Sequence, residues 1–350
     1  MLIAHVNVAR NYRGGERQTE LLMRELQAQG IRQRLVARRG SPLAGHVAKI
    51  GIEVREVSGH LPGVVRSTRG VDLIHVHEGR SVYAAYCRRV LSGTPYIATR
   101  RVNNLIGEHH MAHRAYRAAA RVVAVAEQVA DVVRVFDSEV KLSVIQSSSS
   151  GLKADPDTVR AIRDRAGDGF IVGHVGALDN DQKAQDTIIE AARILQKSHP
   201  DIHFMLVGGG RDEPMLRQLA AGLDNLTFTG FVDNVGDFLG AFDVFVLPSR
   251  REGIGSILFD AMEYSLPLVV TPVGGVPSIV LEGQNGFLIE VGQPKQLAEA
   301  LLHLKSDQNL SDKMGNTGRQ MAIGHTPPDM AQAYLRVYQS ILGQDYSVPR

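Results

Sequence analysis

Glu252 opens the run Glu252-Gly253-Ile254-Gly255-Ser256-Ile257, in which a carboxylate precedes a glycine-bracketed turn where a loop becomes a helix. Backbone N–H groups at a helix start lack intrahelical acceptors and favour phosphate, while an adjacent carboxylate accepts hydrogen bonds from hydroxyls. That combination suits a ligand carrying both phosphate and polyol, as a nucleotide sugar does. Asp260 stands eight residues beyond Glu252, about two turns into an expected helix Ser256 to Ser265, so both carboxylates can face one site and hold the vicinal hydroxyls of a sugar and a ribose. The structural alternative is that Glu252 favours the helix N-terminus and Asp260 is solvated. Lys183, in the expected loop DNDQKAQD, can set an ammonium against charge building on a leaving diphosphate, or can be a surface lysine at a helix start. Gly14 and Gly15 follow the first strand and precede an expected helix Glu16 to Gln29, where open α/β sheets bind ligands; a plain tight turn is the other reading.

The elements that must position these residues alternate short apolar, β-branched runs with helix-periodic segments, the pattern of βα units on a parallel sheet. LIAHVNVA, IRQRLVA, IEVREV, DLIHVH, TPYIAT, RVVAV and KLSVIQ form one series. FIVGHVGAL, IHFMLVGG, LTFTGF, VFVLPS, PLVVTP and GFLIEV form a second, with helices near Gln185 to Gln196, Glu213 to Ala221 and Pro294 to Ser306. Two doubly wound α/β domains are expected, 1–150 and 151–327, joined across the small, polar stretch Ser147 to Asp157. A terminal helix over 328–345 follows Pro327 and Pro328, and its periodicity leaves open which domain it covers.

At 350 residues the chain suits two hydrophobic cores better than one. No apolar run is long enough to span a bilayer and MLIAHVNVAR lacks the form of a signal peptide, so a cytoplasmic protein is expected. Cys87 is the only cysteine and cannot make an internal disulfide. The net charge of +2 hides an asymmetry: through Ser150 there are 22 basic and 12 acidic residues, after it 17 and 25. The basic half points to an anionic partner or lipid surface, or to a solvated basic face. Nucleic acid is not expected, since the basic residues lack aromatic interleaving or a recognition helix. His75 and His77 share a strand face but read as packing residues, and no metal or cofactor is expected.

With these residues together, the chain resembles the retaining glycosyltransferases of family 4, which have the GT-B fold of two Rossmann-like domains facing a central cleft. The Lys-x-x-Asp loop, LVGGG, FTGF, PSRREGIG, the VGG turn and NGFLI carry the resemblance, in the family's order between Phe170 and Ser306. It implies transfer of a sugar from a nucleotide diphosphate donor to an acceptor hydroxyl, with the acceptor on the first domain and the donor on the second. Glu252 would then hold the donor sugar, Asp260 the ribose, and the stretch Gly253, Ile254, Gly255, Ser256 and Ile257 the phosphate. Lys183 would face the diphosphate as a catalytic residue with Glu252, Phe231 and Val232 would meet the base, and Gly14 and Gly15 would lie near the phosphate. The terminal helix would cross back onto the first domain.

Three positions depart from the family pattern. Asp260 replaces the usual Glu, Ala177 a common diphosphate-binding arginine, and Arg100-Arg101-Val102-Asn103 a segment that often carries histidine. The TRRV sequence resembles a bacterial subgroup of lipopolysaccharide and surface-glycan assembly, where Arg100 and Arg101 would anchor an anionic glycolipid or glycan acceptor, with peripheral association at the inner membrane. A sugar-nucleotide epimerase and a GT-B scaffold without catalysis remain the rival readings.

Overall fold

The computed structural model describes residues 1–107, 109–167 and 169–343, so Gln344 and Asp345 of the expected terminal helix lie outside the described residues. Its contacts divide the chain into two compact units, Met1–Ser150 together with the chain from His325 onward, and Gly151–Gly324.

The first unit holds seven strands: β1 (Leu2–Asn7), β2 (Arg32–Arg38), β3 (Glu53–Val57), β4 (Leu73–Val76), β5 (Tyr96–Arg100), β6 (Arg121–Ala124) and β7 (Leu142–Val144). All pair in parallel, in the order β3-β2-β1-β4-β5-β6-β7. Central strands are buried along nearly their whole length, as a parallel sheet covered by helices on both faces requires. Strand β3, reading EVREV, lies at an edge, and its charged residues leave that edge solvated. The chain builds outward from β1 to β3 and then restarts at β4 on the other side of β1. That β1/β4 junction is where an open sheet has room for a ligand at its carboxyl edge.

The second unit repeats the design with β8 (Phe170–Val175), β9 (Ile202–Val207), β10 (Leu226–Gly230), β11 (Val244–Leu247), β12 (Leu268–Val270) and β13 (Gly286–Leu288). Their order is β10-β9-β8-β11-β12-β13, so the reversal falls between β8 and β11. Gly173 in β8 has a packing reason: a Cβ there would stand 1.9 Å from the Phe242 ring. Both doubly wound sheets expected from the sequence are present, and every strand segment named above contributes one.

The terminal helix, Pro327–Leu342, belongs to the first unit. Thr326 and Asp329 cap its start reciprocally, and Met330, Tyr334 and Tyr338 pack into one apolar cluster with Ile3, Leu22, Leu73 and Ile97. Beside it, Gln18 clasps the backbone of Ser148, its Nε2 donating to the carbonyl at 2.7 Å and its Oε1 accepting from the amide at 2.9 Å.

Three local details differ from the sequence expectation. Gly14 and Gly15 are the first residues of the helix Gly14–Ala28 and do not precede it, and neither has positive φ. Lys183 ends a single helical turn, Asn180–Lys183, because Ala184 at φ 53° takes a left-handed conformation and separates that turn from the helix Gln185–Leu195. The third helix starts at Ile257 and ends at Glu263, bracketed by Gly255 at φ 69° and Ser265 at φ 55°. Asp260 therefore sits in its first turn, where the sequence had placed it two turns in.

Candidate functional site

The carboxyl ends of β8 and β11 carry the second unit's site. After β11 the chain runs through Ser249, Arg250 and Arg251 to Glu252, and two anchors fix this loop to the turn Asn180–Lys183. Arg250 donates its backbone N–H to the Gln182 carbonyl at 2.9 Å, and its guanidinium bonds the Asn180 carbonyl and the Asp186 carboxylate, each at 2.7 Å. These anchors bring Lys183 to Glu252, and the ammonium donates directly to Glu252 Oε1. The Glu252 side chain is 6 % exposed. Its Oε1 also accepts from the Ser249 hydroxyl at 2.8 Å, and Thr271 holds the Ser249 carbonyl in turn. A buried carboxylate needs such partners to remain charged.

Under Lys183 lies His174 on β8, fully buried, with Nδ1 at 3.0 Å from the Val246 carbonyl. Burial lowers its pKa to about 4, and the Lys183 charge adds to the effect. Gly176 lies between these two side chains, where a Cβ would stand in ordinary contact with His174 Nε2 at 3.4 Å and Lys183 Cε at 3.8 Å.

Beyond Glu252 the backbone turns through Gly253, Ile254, Gly255 and Ser256 into the short helix. None of the N–H groups from Gly253 to Ile257 is taken up by a protein acceptor among the described residues, although Ile254 and Gly255 are buried. A second turn braces this one from behind. Gly275 donates to the Gly253 carbonyl at 2.7 Å, and Gly274, at φ 55°, lets the Glu252 carbonyl approach to 2.0 Å from where a Cβ would stand. Only glycine fits at 274, which accounts for the VGG spelling. Asp260 is buried on the same short helix. Phe231 and Val232 follow β10, two strands from β8, and the Phe231 ring is 80 % exposed. Ala177 contributes only its carbonyl, which accepts from Gln185.

In the first unit, Gly15 meets Arg101: the Arg101 Cδ lies 3.4 Å from where a Cβ on Gly15 would stand. The Nε and Nη2 of Arg101 are buried without a protein acceptor among the described residues. Arg100 bonds the Asn104 carbonyl of its own loop through Nη2, and its Nε is likewise buried without a protein acceptor among the described residues.

Next to Arg101 is a cluster that the sequence only half revealed. His5, His75 and His77 offer nitrogens within 4.8 Å of one another, and all three are buried. Both nitrogens of His75 are committed, to Tyr338 Oη and Thr99 Oγ1 at 2.7 Å each, while His5 Nδ1 faces His77 Nε2 at 2.9 Å. Burial drives the pKa of His5 to about 3 and those of His75 and His77 well down, with Arg101 adding positive potential at the latter two. The cluster is a neutral hydrogen-bonded network in which His5 Nε2 and His77 Nδ1 are buried without a protein partner among the described residues, and Arg101 adds positive potential beside it. His5 was missed in the sequence because its partners arrive from β4, 70 residues on.

Comparison with known proteins bears on the fold and on the second unit's family. Residues 169–307 match the family model "Glycosyl transferases group 1", and the chain carries that domain within a GT-B fold. The chain is 29 % identical over 179 residues to the N-acetyl-alpha-D-glucosaminyl L-malate synthase of Bacillus anthracis, covering 50 % of this chain and 46 % of that protein. It is 28 % identical over 185 residues to the lipopolysaccharide core biosynthesis glycosyltransferase LpsE of Rhizobium meliloti, covering 52 % and 53 %. The chain spans about half the length of these curated relatives. The crystal structure of Anabaena HepE in complex with UDP-glucose superposes with a TM-score of 0.86 at 19 % identity, over 97 % of this chain and all of that one.

Proposed function

We propose that this protein is a retaining glycosyltransferase that moves a sugar from a nucleotide diphosphate to an acceptor hydroxyl in lipopolysaccharide or surface-glycan assembly. The observation that carries the reading is the Lys183–Glu252 pair set beside five consecutive N–H groups that lack protein acceptors. A ligand with phosphate oxygens and sugar hydroxyls satisfies all of these groups at once. Relatives in surface-glycan and lipopolysaccharide synthesis, and a structural neighbour holding UDP-glucose, support it.

In this reading the second unit binds the donor. Glu252 accepts from sugar hydroxyls and Asp260 from the ribose, the Gly253 to Ile257 backbone and Lys183 hold the diphosphate, and the exposed Phe231 ring with Val232 covers the base. The first unit binds the acceptor, with Arg101 a cation for an anionic acceptor, and Gly14 and Gly15 are assigned to phosphate. The bond from the anomeric carbon to the phosphate oxygen breaks and the acceptor oxygen bonds that carbon on the same face. The acceptor's proton passes to the departing phosphate, whose charge Lys183 offsets. No protein nucleophile and no metal is assigned a step. No helix among the described residues is long and apolar enough to cross a membrane, and the basic first unit is the surface proposed for a cytoplasmic membrane face.

The test is a thermal-shift panel of nucleoside diphosphates and their sugars on the full chain. A ligand at 100 times its Kd adds about 2.7 kcal/mol of stability. One nucleoside diphosphate is expected to raise the melting temperature, and its sugar to be consumed only with acceptor present. Free nucleotide with an altered sugar and no acceptor requirement would identify an epimerase, and no shift from any donor would overturn the reading.

A further inference from the structure

The carboxyl edge of the first sheet holds a pocket of about 330 Å³ that none of the residues named so far occupies. It is built by the segments that follow β1, β2, β3 and β4, four adjacent strands, so it opens at the β1 side of the sheet's reversal point. Its cations are Arg10, three residues beyond the end of β1, Arg38, the last residue of β2, and Arg80, in the turn after β4. Val8, Leu61 and Val64 give it an apolar side.

Several arginines of the unit are answered by carboxylates: Arg34 by Glu53 at 2.9 Å, Arg117 by Asp137 at 2.5 Å, Arg134 by Asp131 at 2.7 Å. The guanidinium groups of Arg10, Arg38 and Arg80 have no such partner among the described residues. The one carboxylate lining the pocket, Glu78, is already used: it accepts from the backbone N–H of Arg80 at 3.0 Å and from the Ser81 hydroxyl, capping its own turn. Arg38 reaches its place by lying across Gly59, with Nη1 3.1 Å from where a Cβ would stand. Three guanidinium groups gathered from three strands around a concave surface, with a single and already engaged carboxylate, demand an anion of more than one charge. Guanidinium meets phosphate through paired N–H donors. A volume of this size accepts a phosphate together with one sugar-sized group.

We infer that this pocket binds a phosphate group on the acceptor, so that acceptors bearing phosphate are selected at Arg10, Arg38 and Arg80. Phosphate binding by the pocket stands on these residues alone; its assignment to the acceptor rests on the transferase reading. The phosphate can belong to a soluble sugar phosphate or to a lipid headgroup, and the chemistry at the three arginines is the same.

The experiment is calorimetric titration of the full chain with glucose 6-phosphate, inorganic phosphate, glucose and acetate. Glucose 6-phosphate should bind most tightly, phosphate measurably, glucose and acetate at least tenfold more weakly. Arg38→Ala and Arg80→Ala should each cost tenfold or more in affinity for glucose 6-phosphate, whereas Arg134→Ala, which removes a paired arginine elsewhere in the unit, should cost nothing. Arg80 is exposed, so its variant keeps the test valid if Arg38→Ala fails to fold. Competition by phosphatidylglycerol vesicles would place the phosphate on a lipid, and absence of competition on a soluble sugar; both support the pocket. Unchanged affinity in the Arg10→Ala/Arg38→Ala/Arg80→Ala triple variant would overturn it. So would a parallel tenfold loss of nucleoside diphosphate binding, which would make the pocket part of the donor site. Failure of every nucleoside diphosphate to bind wild-type protein would instead remove the transferase reading and leave the phosphate result standing.

Discussion

Lys183→Ala is expected to lower the rate of sugar transfer by two to three orders of magnitude, with a much smaller change in the donor concentration needed for half-saturation. Loss of one preorganised donor to a developing negative charge costs about 3–4 kcal/mol of transition-state stabilisation. The departing diphosphate gains charge only as the bond breaks, so the effect falls on turnover more than on binding. A structural consequence accompanies it. Glu252 is buried, and removing its cation leaves only the Ser249 hydroxyl to satisfy Oε1. Stranding one member of a buried ion pair costs about 3–5 kcal/mol. The variant should therefore melt at lower temperature as well as turn over slowly. Single-turnover rates measured below the variant's melting range separate the two, and Lys183→Arg should recover most of the stability and only part of the rate. Transfer by Lys183→Ala within threefold of wild type would remove Lys183 from the leaving-group role.

Mild acid should unfold the first unit before the second. His5, His75 and His77 are held neutral by burial, with a folded pKa near 3 for His5 and well depressed values for the others. An unfolded histidine titrates near pH 6.5. Above that value both states are neutral and the histidines add no pH dependence. As pH falls below it the unfolded chain takes up protons that the folded chain refuses, so stability falls continuously until the folded pKa is reached. At about pH 4.5, two pH units below the unfolded pKa, a histidine such as His5 costs about 2.7 kcal/mol. Three fully buried groups of this kind lie in the first unit, where burial also lowers His325, and one, His174 with a pKa near 4, in the second. Set against a total stability of about 5–15 kcal/mol, the first unit's share is decisive. Carboxylates such as Asp137, held near 2 by Arg117, act only at lower pH. Calorimetric melts at pH 7 and 4.5 should show the first unit's transition falling by more than about 10 °C and the second's by less. Equal shifts, or none, would contradict the neutral network.

Much of this was legible because it is local. A buried parallel strand announces itself as a short apolar run, and VFVL or LIHV could hardly be anything else. The Glu252 turn was legible for the same reason, since the acid, the glycines and the helix start are neighbours in the chain. What the sequence left out depends on distance along it. Asp186 and Arg250 are 64 residues apart, His5 and His77 72, Gln18 and Ser148 130. Each pair exists because the fold brings distant segments of the chain together, and no periodicity encodes that. The helix boundary at Ile257 was misjudged because a glycine at positive φ delays the first helical residue, and conformation is not visible in composition.

The Gln18 clasp and the terminal helix have a consequence for the protein's birth. The second unit is one unbroken stretch, whereas the first needs Tyr334 and Tyr338 to close its apolar layer. At roughly 5–20 residues per second, the ribosome takes on the order of 10–35 s to travel from Ser150 to His325. Throughout that interval the earlier-made half waits with Ile3, Leu22 and Leu73 uncovered, while the later-made half can finish. Folding order is thus expected to invert synthesis order. Protease digestion of a released chain ending at residue 324 should spare the second unit and cut the first, and equal resistance of both would show that the helix is not required.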